Sequence, residues 1–171
     1  MSNEYKDWYN DLTEQQKKNS KLCIKYPILA PRSYLTGEVV NNYMYEYTEL
    51  DQIPVGWRVA FGEQWAAEVQ KAIDKLPENV REQIYIMQLK EKFGFFRQYF
   101  SHYTDELDEV IRKYELLSRR TCIKCGAPAT KMSTGWISPY CNSCVEDVTA
   151  VRFVDIDECF KERDEDDSDN I

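Results

Sequence analysis

Apolar residues recur at spacings of three and four through the middle of the chain, beginning near Ala60. The positions are Phe61, Trp65, Val69, Ala72, Ile73 and Leu76. This spacing places them on one side of an amphipathic helix, which we expect to end near Pro77. Trp57 would lie on the same face as Phe61 and Trp65, and we expect this aromatic face to pack in the core.

The next two apolar segments have the composition of β-strands. Residues 84–89 read IYIMQL and residues 95–100 read FFRQYF, so β-branched and aromatic residues dominate both. The residues between them include Gly94, which can adopt the positive φ that a hairpin turn requires. We therefore expect an antiparallel ribbon that packs against the preceding helix.

A second amphipathic helix is predicted from Thr104 to about Arg119. Thr104 is a suitable N-cap, and acidic residues occupy the first turn, where they interact favourably with the helix dipole. The expected buried stripe consists of Leu107, Ile111, Tyr114 and either Leu117 or Leu116. This helix would lead directly to Cys122.

The predicted fold class is α+β, with the antiparallel ribbon packed on the amphipathic helices. A short helix is expected within residues 13–21, another at 145–150 and a strand at 151–156. The chain then divides into an aromatic-rich N-terminal extension (1–52), a helix–hairpin–helix core (53–120), a cysteine module (121–153) and an acidic, disordered tail (154–171).

Composition is consistent with a folded protein. Hydrophobic residues make up 43% and aromatic residues 13% of the 171 residues, which is enough for a core. No segment contains the roughly 20 consecutive apolar residues that span a bilayer, and the first ten residues do not resemble a signal peptide. We expect a soluble, cytoplasmic protein.

The net charge of −8 is concentrated at the C-terminal end of the chain. Residues 154–171 contain nine acidic and two basic residues, and such a segment buries too little apolar surface to order itself. A protein this acidic is not expected to coat nucleic acid by charge alone. The nearly neutral remainder still allows a local basic patch.

Four of the six cysteines have the spacing of a metal site. Cys122 and Cys125 form one CxxC pair, and Cys141 and Cys144 form another fifteen residues later. Two such pairs are typical of a structural Zn²⁺ in a zinc-ribbon or treble-clef-like element, and Gly126 suits the turn of the first pair. Four thiolates around Zn²⁺ carry a net charge of −2. The nearby cations that could offset this charge are Arg119, Arg120, Lys124 and Lys131.

The sequence favours a non-enzymatic protein. A closed shell of four cysteines leaves no coordination position for the water that hydrolytic zinc chemistry requires. The chain has one histidine, His102, and its neighbour Ser101 would point to the opposite face of a strand. Phosphate-binding glycine motifs are absent from the sequence.

Three segments together resemble a group of uncharacterised proteins common in phages and prophages. They are PVGWRVAFGEQW, IYIMQLKEKFGFFRQY and YELLSRRTCIKCGAP, and they span roughly Pro54 to Cys144. The shared pattern is a PxGW helix start, a KEKFG hairpin and a CxxCG knuckle. The resemblance implies a zinc-bearing α+β module and assigns no catalytic residue.

Three functions remain open at this point. The first is a zinc-stabilised interaction protein, phage-encoded, that binds and modulates a host defence protein. The second is nucleic-acid binding through the ribbon and knuckles, with Phe95, Phe96 and Tyr99 as stacking groups. The third is binding or turnover of a small, nucleotide-like ligand. The basic residues that could contact nucleic acid or a partner are Lys90, Lys92, Arg97, Arg112, Arg119, Arg120, Lys124 and Lys131.

Overall fold

A computed structural model describes residues 12–33, 35–40, 45–149 and 151–159. The helices bounded within this part are α1 (Glu14–Lys25), α2 (Val55–Trp57), α3 (Glu63–Asp74), α4 (Glu78–Arg81), α5 (Asp105–Arg119) and α6 (Asn142–Val145). The strands are β1 (Ile86–Lys92), β2 (Phe95–Phe100), β3 (Lys131–Ser133), β4 (Pro139–Tyr140) and β5 (Phe153–Asp155). The fold is therefore mixed helix and sheet, as predicted. Among the described helices, none combines the length and apolar character needed to cross a membrane.

The predicted aromatic helix is confirmed and begins earlier than the periodicity indicates. Helix α2, a π-helical turn at Arg58–Gly62 and α3 follow one another without a break. Trp57, Phe61 and Trp65 are all buried on its inner face. They surround Phe96 of β2, whose ring centroid lies 6.2, 6.0 and 5.3 Å from theirs, respectively. These aromatic contacts are the centre of the core.

Strands β1 and β2 form the predicted antiparallel ribbon. The first strand runs from Ile86 to Lys92, so it starts and ends later than the predicted segment 84–89. Phe93 and Gly94 form a two-residue turn with φ values of 53° and 79°. Positive φ at both positions defines a type I′ turn, which matches the twist of the two strands.

Helix α5 has the predicted bounds, and its buried stripe differs from the prediction. Thr104 caps the helix, its Oγ1 accepting a hydrogen bond from the Leu107 amide. Leu116 and Leu117 are both exposed, which corrects the assignment of either to the stripe. Ser118 is buried instead, because its hydroxyl accepts a hydrogen bond of 2.9 Å from the amide of Phe96. The serine hydroxyl therefore gives a hydrogen-bond partner to a backbone amide at the open edge of β2.

Some of the described residues within the predicted extension 1–52 contribute to the core. Ile28 and Leu29 belong to the same buried cluster as Trp57, and Leu50 joins it from a 3₁₀ turn at Glu49–Gln52. The Gln52 side chain accepts a hydrogen bond from the amide of Leu89 in β1. Sequence periodicity missed these contacts because they come from short, irregular segments.

Residues 121–159, which we call the metal module, form a sheet of strand order β4-β3-β5. Among its described residues, the buried apolar cluster consists of Ala129, Met132 and Ile156. Strand β5 confirms the expected strand, whereas the helix expected at 145–150 is displaced to Asn142–Val145. The predicted tail starts too early, because Val154 and Asp155 lie in β5 and Ile156 is buried. Residues 160–171 lie outside the described part.

Candidate metal centre

The first cysteine pair lies in a tight turn that follows α5. The Gly126 amide donates to the Cys122 carbonyl at 2.9 Å, and the Cys122 amide donates to the Ala127 carbonyl at 2.7 Å. Gly126 has a φ of 82°, a conformation that residues with a Cβ rarely adopt. The glycine predicted to form this turn is therefore required by its backbone geometry.

The second pair is delivered by β4 and the start of α6. Cys141 follows β4 directly, and its carbonyl accepts hydrogen bonds of 3.1 Å from the amides of Cys144 and Val145. This turn brings the Cys144 side chain back towards Cys141. The amide of Ile123, inside the first pair, donates to the carbonyl of Pro139 in β4 and holds the two turns together at 2.9 Å.

The four predicted cysteines converge on one point. Their sulfur atoms all lie within 4.8 Å of one another, and the sulfurs of Cys125 and Cys141 are 3.6 Å apart. Metal–sulfur bonds of about 2.3 Å in a tetrahedron would separate the sulfurs by about 3.8 Å. A disulfide would need about 2.05 Å. The geometry is therefore compatible with a metal ion held by all four side chains.

The electrostatics of the cluster also suit a cation. Burial raises the pKa of Cys122, but the backbone amides of Cys125, Cys141 and Lys124 donate towards its sulfur, and the pKa falls to about 7. The pKa of Cys144 is raised to about 12, first by burial and then by hydrogen bonds to the other three sulfurs. Four thiolates this close repel one another, and a divalent cation removes that repulsion.

Most of the basic residues predicted to offset the thiolate charge pair with carboxylates of the metal module. Lys124 pairs with Asp147 at 3.3 Å, Arg120 pairs with Asp157 at 3.5 Å, and Lys131 pairs with Asp155. Arg119 is buried, and its guanidinium lies 4.5 Å from the centre of the Phe95 ring. Carboxylates within the metal module therefore balance three of the four cations.

The metal module is hydrogen-bonded to the start of helix α2 at Gly56 and Trp57, a contact that the sequence analysis did not predict. The Gly56 amide donates to the Ile123 carbonyl at 2.9 Å, and the indole N–H of Trp57 donates to the Thr121 carbonyl at 2.9 Å. A Cβ on Gly56 would lie 2.2 Å from the Cys122 carbonyl oxygen, and one on Gly126 would lie 2.6 Å from the Gly56 carbonyl oxygen. The two glycines thus allow the backbones to touch. The PxGW and CxxCG patterns contained this signal, because each has a glycine at the contact.

The ribbon residues predicted to contact a partner do not belong to the cluster of four cysteines. Lys90, Lys92 and Arg97 share one face of β1 and β2, whereas Phe96, considered as a stacking group, is buried in the core. His102 lies exposed just after β2, with its Nδ1 3.2 Å from the Gln83 carbonyl oxygen.

Comparisons with protein-family models, curated proteins and solved structures find no match to this chain.

Proposed function

We propose that Cys122, Cys125, Cys141 and Cys144 bind one structural Zn²⁺ and that the chain acts by binding a partner. The observation that carries the metal assignment is the convergence of four sulfurs within 4.8 Å. A tetrahedral set of four thiolates selects Zn²⁺ or iron–sulfur chemistry. One CxxC turn before β3 and another at the start of α6 are typical of zinc knuckles in treble-clef and ribbon modules.

A structural role for the metal follows from its surroundings. Four protein ligands fill a tetrahedral shell, so no position remains for a reacting water. The module beneath the site has a small apolar cluster and needs another source of stability. Binding of Zn²⁺ supplies that source and fixes the backbone that contacts Gly56 and Trp57.

Metal analysis tests this proposal directly. Protein purified without chelator should contain about one zinc per chain, and Co²⁺ substituted for Zn²⁺ should give the absorption bands of tetrahedral thiolate coordination. Less than about half a zinc per chain, with all four thiols reactive, would overturn the assignment.

The binding role is supported by a rigid module that presents charged and aromatic side chains on its surface. The resemblance to phage proteins favours a protein of the host as the partner, with inhibition or modulation as the outcome. The test is recovery of partners with the full chain and with a chain ending at Cys159. The truncation removes the last twelve residues. It ends at Cys159 because that end point preserves β5 and the buried Ile156.

Loss of a specific protein partner on truncation would support a role for the acidic segment. Equal recovery by both chains would place the binding surface on the folded body. Recovery of no protein by either chain, against an unrelated zinc protein as the control, would contradict the protein-partner proposal.

A further inference from the structure

The outer face of the ribbon carries alternating cations and aromatic rings. In the strand register Lys90 pairs with Arg97 and Lys92 pairs with Phe95, while Gln88 pairs with Tyr99. Directly paired residues share one face of an antiparallel sheet. The alternate residues, including Leu89, Phe96 and Gln98, are buried. The three cations and two rings therefore lie together on the side away from the core.

Contacts within this face fix the side chains. The Lys90 Nζ lies 4.8 Å from the Tyr99 ring centre, and the Arg97 guanidinium lies 4.6 Å from the Phe95 ring centre. Arg97 also pairs with Glu115 at 2.7 Å. Cations held against aromatic rings lose less side-chain freedom when they bind a partner. The face is thus partly organised before any partner arrives.

The ribbon also keeps a net positive charge, unlike the metal module. Glu115 is paired with Arg97, while Lys90 and Lys92 are not among the described ion pairs. Glu91 lies in the alternate phase of β1, where its side chain accepts a hydrogen bond from the Gly94 amide. A concentrated patch of positive charge on a protein of net charge −8 indicates an anionic ligand.

Exposed rings continue from the ribbon to the metal module. Phe93 at the ribbon turn is 58% exposed and Tyr99 is 38% exposed. The position of a Cβ on Gly94 lies 3.6 Å from the Ile137 carbonyl oxygen, so the turn touches the loop between β3 and β4. Trp136, which precedes Ile137, is 78% exposed. Large exposed rings beside cations are suited to flat, polar ligands such as nucleobases.

We propose that this ribbon face binds single-stranded nucleic acid. Lys90, Lys92 and Arg97 would contact phosphates, and Phe93 and Tyr99 would stack on bases. A single strand is favoured over a duplex because stacking on protein rings requires bases that are not already stacked in a helix. The inference goes beyond the proposed function, whose partner is a protein, and is independent of which metal the four cysteines hold.

The experiment uses the full, metal-loaded chain and a fluorescein-labelled single-stranded 20-mer of mixed sequence, as DNA and as RNA, with fluorescence anisotropy as the readout. The first variant is Phe93→Asn, which removes the ring but creates the Asn-Gly pair preferred in type I′ turns. We expect unchanged or higher thermal stability and about fivefold weaker binding, the scale of losing one stacked base. Tyr99→Leu should weaken binding to a similar extent.

The charge test is the pair Lys90→Gln and Lys92→Gln. It is matched by Lys71→Gln on the exposed side of α3 and Lys75→Gln at the C-cap of that helix. Losing two phosphate contacts on a single strand should lower the salt slope of binding by about 1.4 and the affinity in 0.1 M salt by about tenfold. The matched variant has the same net charge and should retain binding within about twofold.

Three results would overturn the proposal. The first is an anisotropy signal that stays flat up to high protein concentration while the zinc content is normal. The second is equal or tighter binding of the corresponding duplex. The third is binding of polyglutamate as tight as that of the oligonucleotide and unchanged by Phe93→Asn, which would identify an acidic protein surface as the ligand. In each case the metal assignment would stand.

Discussion

The helix–ribbon core consists of residues 53–120 and the N-terminal segments that pack on them. Three large aromatic side chains surround Phe96 there, and a single cluster contains seventeen of the described residues, all buried. In the metal module the buried cluster contains three. We expect apolar burial to stabilise the first region and metal binding by the four cysteines, with the contact to Gly56 and Trp57, to stabilise the second. On this proposal, neighbouring regions of one short chain obtain their stability from different interactions.

The largest expected effect comes from removing one metal ligand. Cys125→Ser leaves an incomplete shell and forfeits a large part of the roughly 10–16 kcal/mol of apparent zinc binding free energy. We expect amide protection to disappear from residues 121–159 and to persist in α3, α5 and the ribbon. Hydrogen exchange measures both regions in one sample.

Cys159→Ala is the control for Cys125→Ser, because it removes a cysteine outside the cluster. It should retain zinc and the protection of the metal module. Full protection of residues 121–159 in Cys125→Ser would show that the module does not depend on its metal.

The contact between the two regions gives the second prediction. Gly56→Ala places a Cβ 2.2 Å from the Cys122 carbonyl oxygen and 2.6 Å from the Ile123 carbonyl oxygen, and both are backbone atoms that cannot move alone. We expect a loss of about 3 kcal/mol in the free energy of unfolding and weaker retention of zinc. Urea denaturation and metal competition measure the two effects.

Gly62→Ala is a matched control in the same helical run. A Cβ there would meet side-chain atoms of Arg58 and Leu50 at 3.5 Å, which is ordinary contact. Replacing this helical glycine should therefore be neutral or stabilise by about 0.5–1 kcal/mol. Equal losses from both substitutions would show that the close approach at Gly56 is not what joins the regions.

The contrast between the regions also explains what the sequence could predict. Helix α5, the ribbon and the aromatic face at Trp57, Phe61 and Trp65 follow from periodicity, and the metal cluster follows from cysteine spacing. Each is a local pattern. The core positions of Ile28 and Leu29, the burial of Ser118 and the contact at Gly56 depend on partners distant in sequence. Those partners are defined only once the chain is folded.

A third prediction concerns the ribbon turn, which belongs to the core but touches the metal module. Gly94 has a φ of 79°, so Gly94→Val should cost about 1–3 kcal/mol. Thermal unfolding measures this loss, and Phe93→Asn at the preceding position should cause none. An unchanged melting temperature in Gly94→Val would show that the turn tolerates a β-branched residue, contrary to its geometry.

The fourth prediction concerns a carboxyl at the edge of the core, whose effect appears only at a chosen pH. Glu49 is 6% exposed, and burial raises its pKa to about 7 despite hydrogen bonds from Gln52 and from the backbone of Arg32. Burial and nearby carboxylates raise the pKa of Cys23 to about 11 and of Tyr47 to about 12, so both remain neutral near pH 7. Glu49 therefore changes charge between pH 4 and 8, whereas Cys23 and Tyr47 do not.

The direction of the pH effect follows from the raised pKa. A carboxyl whose pKa is higher in the folded state contributes its full stability below its unfolded pKa of about 4.5, and that contribution is lost as the pH rises through about 7. Glu49→Gln keeps an acceptor for Gln52 and carries no charge. It should leave stability unchanged at pH 4 and raise it by up to about 3 kcal/mol at pH 8. Glu46→Gln, which removes an exposed carboxylate from the same segment, is the control for the loss of one negative charge. Urea denaturation at both pH values, repeated with a chelator, separates the two regions. Because Glu49 lies in the core, its effect on stability should persist after the metal is removed. An effect that disappears with the metal would show instead that Glu49 contributes to the stability of the metal module.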